Sequence, residues 1–243
     1  MGEVFTQSPE RWLSIAIWAG AVTIILAIVL AIVLGFRHLL TGGVKQSDCT
    51  VRTVGIIQSA KQTNLRVNER PQFIVNVDAI ADDGSSFPTT VRKIVSFSEI
   101  DSLSRGRVVP IKYNPIDTSQ AIWDKSPDRA RSQERLALYL SVKHPGDLSY
   151  ERRLDIENRG VTKKALLENF GLTGREENGD WEAEATIQIT DTHGESTSYT
   201  RRLYVTGDEL DQLKKGMYLS VRFVPGREKE FIFLLSCSAV IYE

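Results

Sequence analysis

Residues 71–115 read PQFIVNVDAIADDGSSFPTTVRKIVSFSEIDSLSRGRVVPIKYNP, and residues 181–225 read WEAEATIQITDTHGESTSYTRRLYVTGDELDQLKKGMYLSVRFVP. Laid over each other at an offset of 110, the two stretches need no gap. Gly84 meets Gly194, Leu103 meets Leu213, Gly106 meets Gly216 and Pro115 meets Pro225. Apolar character is kept between those points: Val95 meets Val205, Ile100 meets Leu210, Ile111 meets Val221 and Tyr113 meets Phe223, while Asp101 meets Asp211. Self-similarity at a fixed offset is the mark of a duplicated module.

Each matched position has a physical meaning. Asp82-Asp83-Gly84 and Thr192-His193-Gly194 are polar clusters ending in glycine between two apolar runs, which predicts a hairpin turn. Before the second turn Trp181, Ala183, Ala185, Ile187 and Ile189 alternate with polar residues, a strand with one buried face. Phe73–Ile80 is its counterpart, and third strands follow at Phe87–Val95 and Tyr199–Val205. Ser98-Glu99-Ile100-Asp101 and Asp208-Glu209-Leu210-Asp211 then cap short helices of about two turns, which Gly106 and Gly216 stop. Fourth strands, Val108–Tyr113 and Tyr218–Val224, end at Pro115 and Pro225. Fifth apolar runs are Ala121–Trp123 and, longer, Phe231–Leu235. First strands are expected at Val51–Ser59 and Leu154–Lys163, the second copy carrying five more residues before its hairpin.

The order β-β-β-α-β-β is that of a small OB-like barrel, which closes its own edges. Between the modules Ser126-Pro127-Asp128 starts a helix over Arg129–Val142, although Leu136, Leu138, Leu140 and Val142 also alternate like a strand. His144-Pro145-Gly146 makes a turn.

Ahead of the modules, Trp12–Phe36 is a run of twenty-five residues without a charge, and about twenty suffice to cross a bilayer. The run predicts one transmembrane helix over 12–36, too long for a cleavable signal peptide and fastened by Trp12, Trp18, Phe36 and Arg37. Arg37, Lys45 and Arg52 after it, against Arg11 before it, favour a cytoplasmic side for the modules, with a translocated position as the alternative. Ala16, Gly20, Ala27, Ala31 and Gly35 recur along the run at spacings that let a second helix approach, an expected route to a homo-oligomer. The organisation expected is therefore a tail at 1–11, the helix at 12–36, a linker at 37–49, modules at 50–124 and 151–243, and a partly helical connector at 125–150. In fold class the chain is mainly β, a transmembrane helix followed by two tandem five-stranded OB-like barrels.

Charge and chemistry narrow the function. The formal net charge is −1. Residues 50–124 hold nine Lys+Arg against eight Asp+Glu and residues 152–243 hold thirteen against sixteen, so neither module is a cationic groove and no nucleic-acid partner is expected. Arg92-Lys93 and Arg201-Arg202 are the paired cations that an anionic ligand would seek, and a solvated strand face explains them more simply. Trp123, Trp181, Tyr113 and Phe223 read as core. His38, His144 and His193 have no second histidine or cysteine at zinc-ligand spacing, and Asp82-Asp83 suits a turn better than a calcium cage. Cys49 and Cys237 are too few for a disulfide framework, and read as buried thiols with a disulfide between them as the alternative. No nucleophile elbow, phosphate loop or dinucleotide fingerprint occurs, so no catalytic residue, cofactor or metal is expected.

With Gly55-Ile56-Ile57, the Asp82-Asp83-Gly84 turn, Leu103-Ser104-Arg105-Gly106 and Tyr113-Asn114-Pro115 behind one apolar run, the chain resembles bacterial single-pass membrane proteins of unassigned function that carry repeated small β-domains. Phe223-Val224-Pro225 departs from that pattern. The resemblance implies a bacterial cytoplasmic membrane and no activity. The expected function is a membrane-anchored, non-catalytic interaction protein, a scaffold or inhibitor of the cell envelope, acting on a protein partner through tandem modules. The alternatives are a ligand-sensing or enzymatic barrel and a structural homo-oligomer.

Overall fold

The computed structural model describes residues 22–35, 44–191 and 193–235. It divides into two compact units, Met1–Lys45 and Gln46–Glu243. In the first, helix α1 covers residues 22–35 and its side chains are exposed. This corrects the expectation of a membrane-spanning helix over 12–36. Among the described residues no helix is long and apolar enough to cross a membrane. Of the small-residue stripe, Ala27, Ala31 and Gly35 lie on α1, while Ala16 and Gly20, with the flanking Trp12, Trp18 and Arg37, lie outside the described residues.

The second unit is mainly β and holds two five-stranded antiparallel sheets. Strands β1 (Val51–Val67), β2 (Arg70–Ile80), β3 (Ser86–Ile94), β4 (Val108–Tyr113) and β5 (Ala121–Trp123) form the first, in the order β3-β2-β1-β4-β5. Strands β6 (Val161–Glu177), β7 (Asp180–Thr190), β8 (Ser196–Val205), β9 (Tyr218–Phe223) and β10 (Ile232–Phe233) form the second, in the order β10-β9-β6-β7-β8. A parallel bridge between Thr90 and Gln120 brings the two ends of the first sheet together, as an OB-like barrel requires.

The duplication extends through the first strands. Both β1 and β6 run 17 residues. Register shifts fall at Ile57/Ser59 and Gln62/Arg66 in one and at Leu167/Asn169 and Leu172/Glu176 in the other, each pair again 110 apart. A bulge bends its strand and raises the local twist, so one strand can pair with β2 or β7 along one edge and with β4 or β9 along the other. Asn68 and Glu69 in one copy, Asn178 and Gly179 in the other, take positive φ and close the two-residue hairpins that follow.

Three local expectations are corrected. Leu154–Lys163 is not a strand: Tyr150–Arg159 is helix α3, and β6 starts at Val161 with no extra residues. Ser149 at the N-cap, Glu151 in the first turn and Arg159 in the last are complete helix signals, and they outweigh the short apolar spacing. The short helices start two residues earlier than expected. Ser96 N–H donates to Glu99 Oε2 at 2.6 Å and Thr206 N–H to Glu209 Oε2 at 2.8 Å, so Phe97–Leu103 is a 3-10 helix and Gly207–Leu210, helix α4, a single turn. Of the fifth run Ile232–Phe233 pairs with β9 and Leu234 N–H donates to Ser220 O at 2.9 Å, while Phe231 turns into the core and is fully buried.

Each barrel has its own core: Ile57, Val75, Val77, Val91 and Ile111 in the first, Leu167, Ala185, Ile187, Val221 and Phe231 in the second. Helix α2 (Arg129–Lys143), as expected from the connector, lays Leu136 and Tyr139 over Val54, Ile80 and Val108 on the outside of the first barrel. Helix α3 docks on the second, with Ile156 fully buried. The Arg222 guanidinium of β9 donates to the Ile156 and Glu157 carbonyls at 3.1 and 2.8 Å, closing the helix end with a cation where the dipole is negative.

Gly84 and Gly194 occupy the same turn position at φ +83° and +85°, yet only the first faces a helix. A Cβ at Gly84 would stand 2.9 Å from Val142 Cγ2 and 3.0 Å from Leu138 Cγ, whereas at Gly194 it would meet nothing. Gly194→Ala is expected to cost about 1–2 kcal/mol of backbone strain, and Gly84→Ala measurably more through displacement of α2. Urea denaturation of the two variants, followed by far-UV circular dichroism, compares them directly.

Candidate functional site

A cleft of about 1380 Å3 opens between the two barrels, walled by β1 and β2, by α2, and by β8 with the segment around Phe231. Six cationic and six acidic side chains line it, so the cleft as a whole is not a basic groove. What distinguishes it is how those charges are buried and shared.

One cluster forms where α2 ends. His144 is the C-cap of α2, its N–H donating to Leu140 O, and the turn expected there follows it. The ring is buried, 2% exposed, and stacks on Tyr204 of β8 with centroids 4.2 Å apart and planes 6° from parallel. His144 Nε2 lies 2.8 Å from Asp180 Oδ2, and Lys143 Nζ lies 2.6 Å from the same oxygen. Burial pushes the Asp180 carboxyl up, but the hydrogen bonds from His144 and Lys143 and the lysine charge outweigh it and hold it below its ordinary range. Burial likewise works against charging Lys143, and Asp180 and Tyr139 more than offset it. The Tyr204 hydroxyl donates to Glu177 Oε2 at 2.5 Å, which pushes its pKa up to about 12. Because an ionised carboxylate only accepts, Nε2 carries the proton, and in the neutral ring Nδ1 is an acceptor. That Nδ1 is buried and has no hydrogen-bond partner. A histidine held by aspartate is the base half of a hydrolytic triad, but here no hydroxyl or thiol among the described residues bonds Nδ1.

A second cluster lies on the same turn. Asp147, whose N–H donates to His144 O at 3.0 Å, takes Arg153 Nη2 at 2.7 Å and also the Arg201 Nη2 donor. The three side chains are 7%, 12% and 10% exposed. Arg153 Nε donates to Leu148 O at 3.1 Å, and the Arg201 Nη1 donor goes to Phe231 O. Two guanidiniums thus share one carboxylate. Burial, partly countered by Asp147 and reinforced by Arg201, holds the Arg153 pKa below its usual value. Arg201 stands 110 residues after the fully buried Val91, so the copies diverge here: a core valine in one barrel is an arginine in the other. Its bond to Phe231 O lies at the seam that the first barrel closes with the Thr90–Gln120 bridge.

The other residues singled out from sequence are scattered. His193 is at an exposed turn, and His38 and Cys237 lie outside the described residues. Cys49 is buried and free. Asp83 accepts from Ser85 N–H and Oγ at 2.9 and 2.6 Å, which is turn chemistry, and Asp82 pairs with Arg135 of α2. Lys93 sits 3.9 Å over the Trp123 ring, and Arg202 pairs loosely with Glu184 on an exposed face. Phe223 is buried, while Trp123, Trp181 and Tyr113 are half-buried against the cores. Asp180, Asp147 and Arg153 were not legible as site residues. Asp180 stands 36 positions from His144, and no local spacing connects them.

Asp180→Asn leaves a buried lysine and histidine without their carboxylate and is expected to cost about 3 kcal/mol at pH 7, roughly 6–12 °C in melting temperature. Asp180 binds its proton less readily folded than unfolded. Its contribution is therefore complete above the ordinary carboxylate range and is lost as pH falls through the lowered folded value, so the gap between wild type and variant should narrow below about pH 4. Thermal melts of both proteins between pH 3 and 7 measure it; a gap that widens towards acid contradicts it.

No protein-family model matches the chain, and no curated protein matches it. Among solved structures, a replication protein A heterotrimer bound to single-stranded DNA is similar at 13% identity over 74% of this chain and 45% of that one, with a TM-score of 0.21. The chain thus spans less than half the length of that neighbour, and so loose a superposition carries no inference about activity or partners.

Proposed function

We propose that this chain is a non-catalytic interaction protein that receives a protein partner in the cleft between its two barrels. The observation behind the proposal is the cleft itself. At about 1380 Å3 it exceeds the roughly 300–1,000 Å3 of most small-ligand sites. Both barrels and α2 contribute to its walls, so a partner would engage two modules at once, and linked contacts of that kind add avidity without new chemistry. A bacterial envelope setting, implied by the likeness of the modules to bacterial β-domains, belongs to the same proposal. A spanning helix forms no part of it.

A photo-crosslinking side chain at Gln133, which lines the cleft, is expected to yield a discrete, saturable adduct in intact cells. The same side chain at Lys61, exposed on β1 away from the cleft, is expected to yield none. Adducts at both positions alike, or at neither, overturn the proposal.

A further inference from the structure

Among the described residues, Arg153, Asp147 and Arg201 carry two positive charges and one negative in a place where each side chain is nine-tenths or so buried. A buried ion pair is tolerable when its charges cancel, and an unmatched guanidinium in low dielectric is costly unless an anion or water completes it. Arg153 makes the excess usable. Its Nε and Nη2 are committed to Leu148 O and Asp147, while Nη1 finds no acceptor among the described residues. All three residues line the cleft. A carboxylate matches the planar fork of a guanidinium and binds it through two parallel bonds.

His144 supplies the second element. It lines the same cleft and stands at the other end of the turn from Asp147, and its Nδ1 is buried without a partner. In the neutral ring that nitrogen needs a donor. A free carboxylate ion offers acceptors only, so it completes the arginines and leaves Nδ1 as it was. A peptide offers both: a side-chain carboxylate that accepts and backbone N–H groups that donate.

We infer that the interbarrel cleft binds an acidic peptide segment, with a carboxylate of the peptide seated on Arg153 and Arg201 and a backbone N–H donated to His144 Nδ1. The inference rests on the proposed partner-binding role of the cleft and names the chemistry of the partner. Asp147 is then an internal competitor, occupying part of the arginine pair until the peptide arrives. The divergence of the two copies fits the same assignment. The first barrel keeps valine at position 91 and has no such pair, and the second places Arg201 where the linker residues Asp147 and Arg153 meet it.

The test uses the purified full chain in mild detergent, because α1 exposes apolar side chains, and isothermal titration at low salt. The probes are a capped decapeptide of glutamate and glycine, its glutamine counterpart, inorganic phosphate and a single-stranded oligothymidylate. The glutamate peptide is expected to bind one to one and the glutamine peptide at least about tenfold more weakly. Arg153→Gln should weaken the glutamate peptide by about tenfold or more, and Arg153→Lys by less. Asp147→Asn, by removing the competitor, should tighten it, a sign that a purely structural role for Asp147 does not produce. Far-UV circular dichroism checks that each variant is folded, and the Gln and Lys replacements at Arg153 suffice if Asp147→Asn is not. Absence of binding, equal affinity for Arg153→Gln, or displacement of the peptide by phosphate or oligothymidylate at lower concentration overturns the inference. A missing crosslink at Gln133 with peptide binding intact overturns the partner proposal and not the anion subsite, and the converse overturns the subsite alone.

Discussion

A strand of 17 residues that must hydrogen-bond along both edges cannot stay flat, and the architecture of each barrel depends on how β1 and β6 meet that requirement. The bulges at Ile57/Ser59 and Leu167/Asn169 bend the strand between its two sets of partners. Once it coils, β2 and β4 in one copy, β7 and β9 in the other, are carried to opposite sides of one core. Leu103 and Leu213 are buried at matched positions between the third and fourth strands, the first at the end of the short helix and the second three residues after it. Without the bend the apolar faces of β2 and β4 would share a plane and enclose nothing.

The two barrels are alike in frame and unlike in what covers them. Gly84 admits the side chains of Leu138 and Val142, so α2 lies close against the first hairpin turn, while its counterpart Gly194 faces open space. Helix α3 is held to the second barrel by Arg222 at its carbonyl end. The helical hairpin between the modules therefore belongs to both and leaves a cleft beside it. Duplication made the frame, and the segment that joins the copies made the asymmetry.

That asymmetry is electrostatic as well as steric. In the Lys143–His144–Asp180 cluster one carboxylate holds both partners. The Arg153–Asp147–Arg201 cluster does not balance among its own members, and it occupies the seam region where, among the described residues, the second barrel shows no counterpart of the first barrel's backbone bridge. An excess of buried charge, as in the arginine pair, and a buried atom without a partner, as at His144 Nδ1, each mark a place that something else can complete. The two clusters share a turn, which places both kinds of chemistry on one wall of the cleft.

The sequence by itself determined the duplication, the strand order and the turns, because those depend on local signals: period-two alternation, glycines at positive φ and prolines that end a ladder. It misjudged Leu154–Lys163, where an apolar spacing competed with the N-cap of Ser149. It also misjudged the run at 12–36, where composition implied a spanning helix and the described residues hold no helix long and apolar enough to cross a membrane. Tertiary structure alone decided the site. Asp180 meets His144 and Arg201 meets Asp147 only because β7 and β8 curl past the end of α2, and a contact between residues 36 or 54 positions apart leaves no trace in local spacing. Where burial strips water from such groups, their partners and shared charges are set by packing geometry, a quantity the linear chain does not carry.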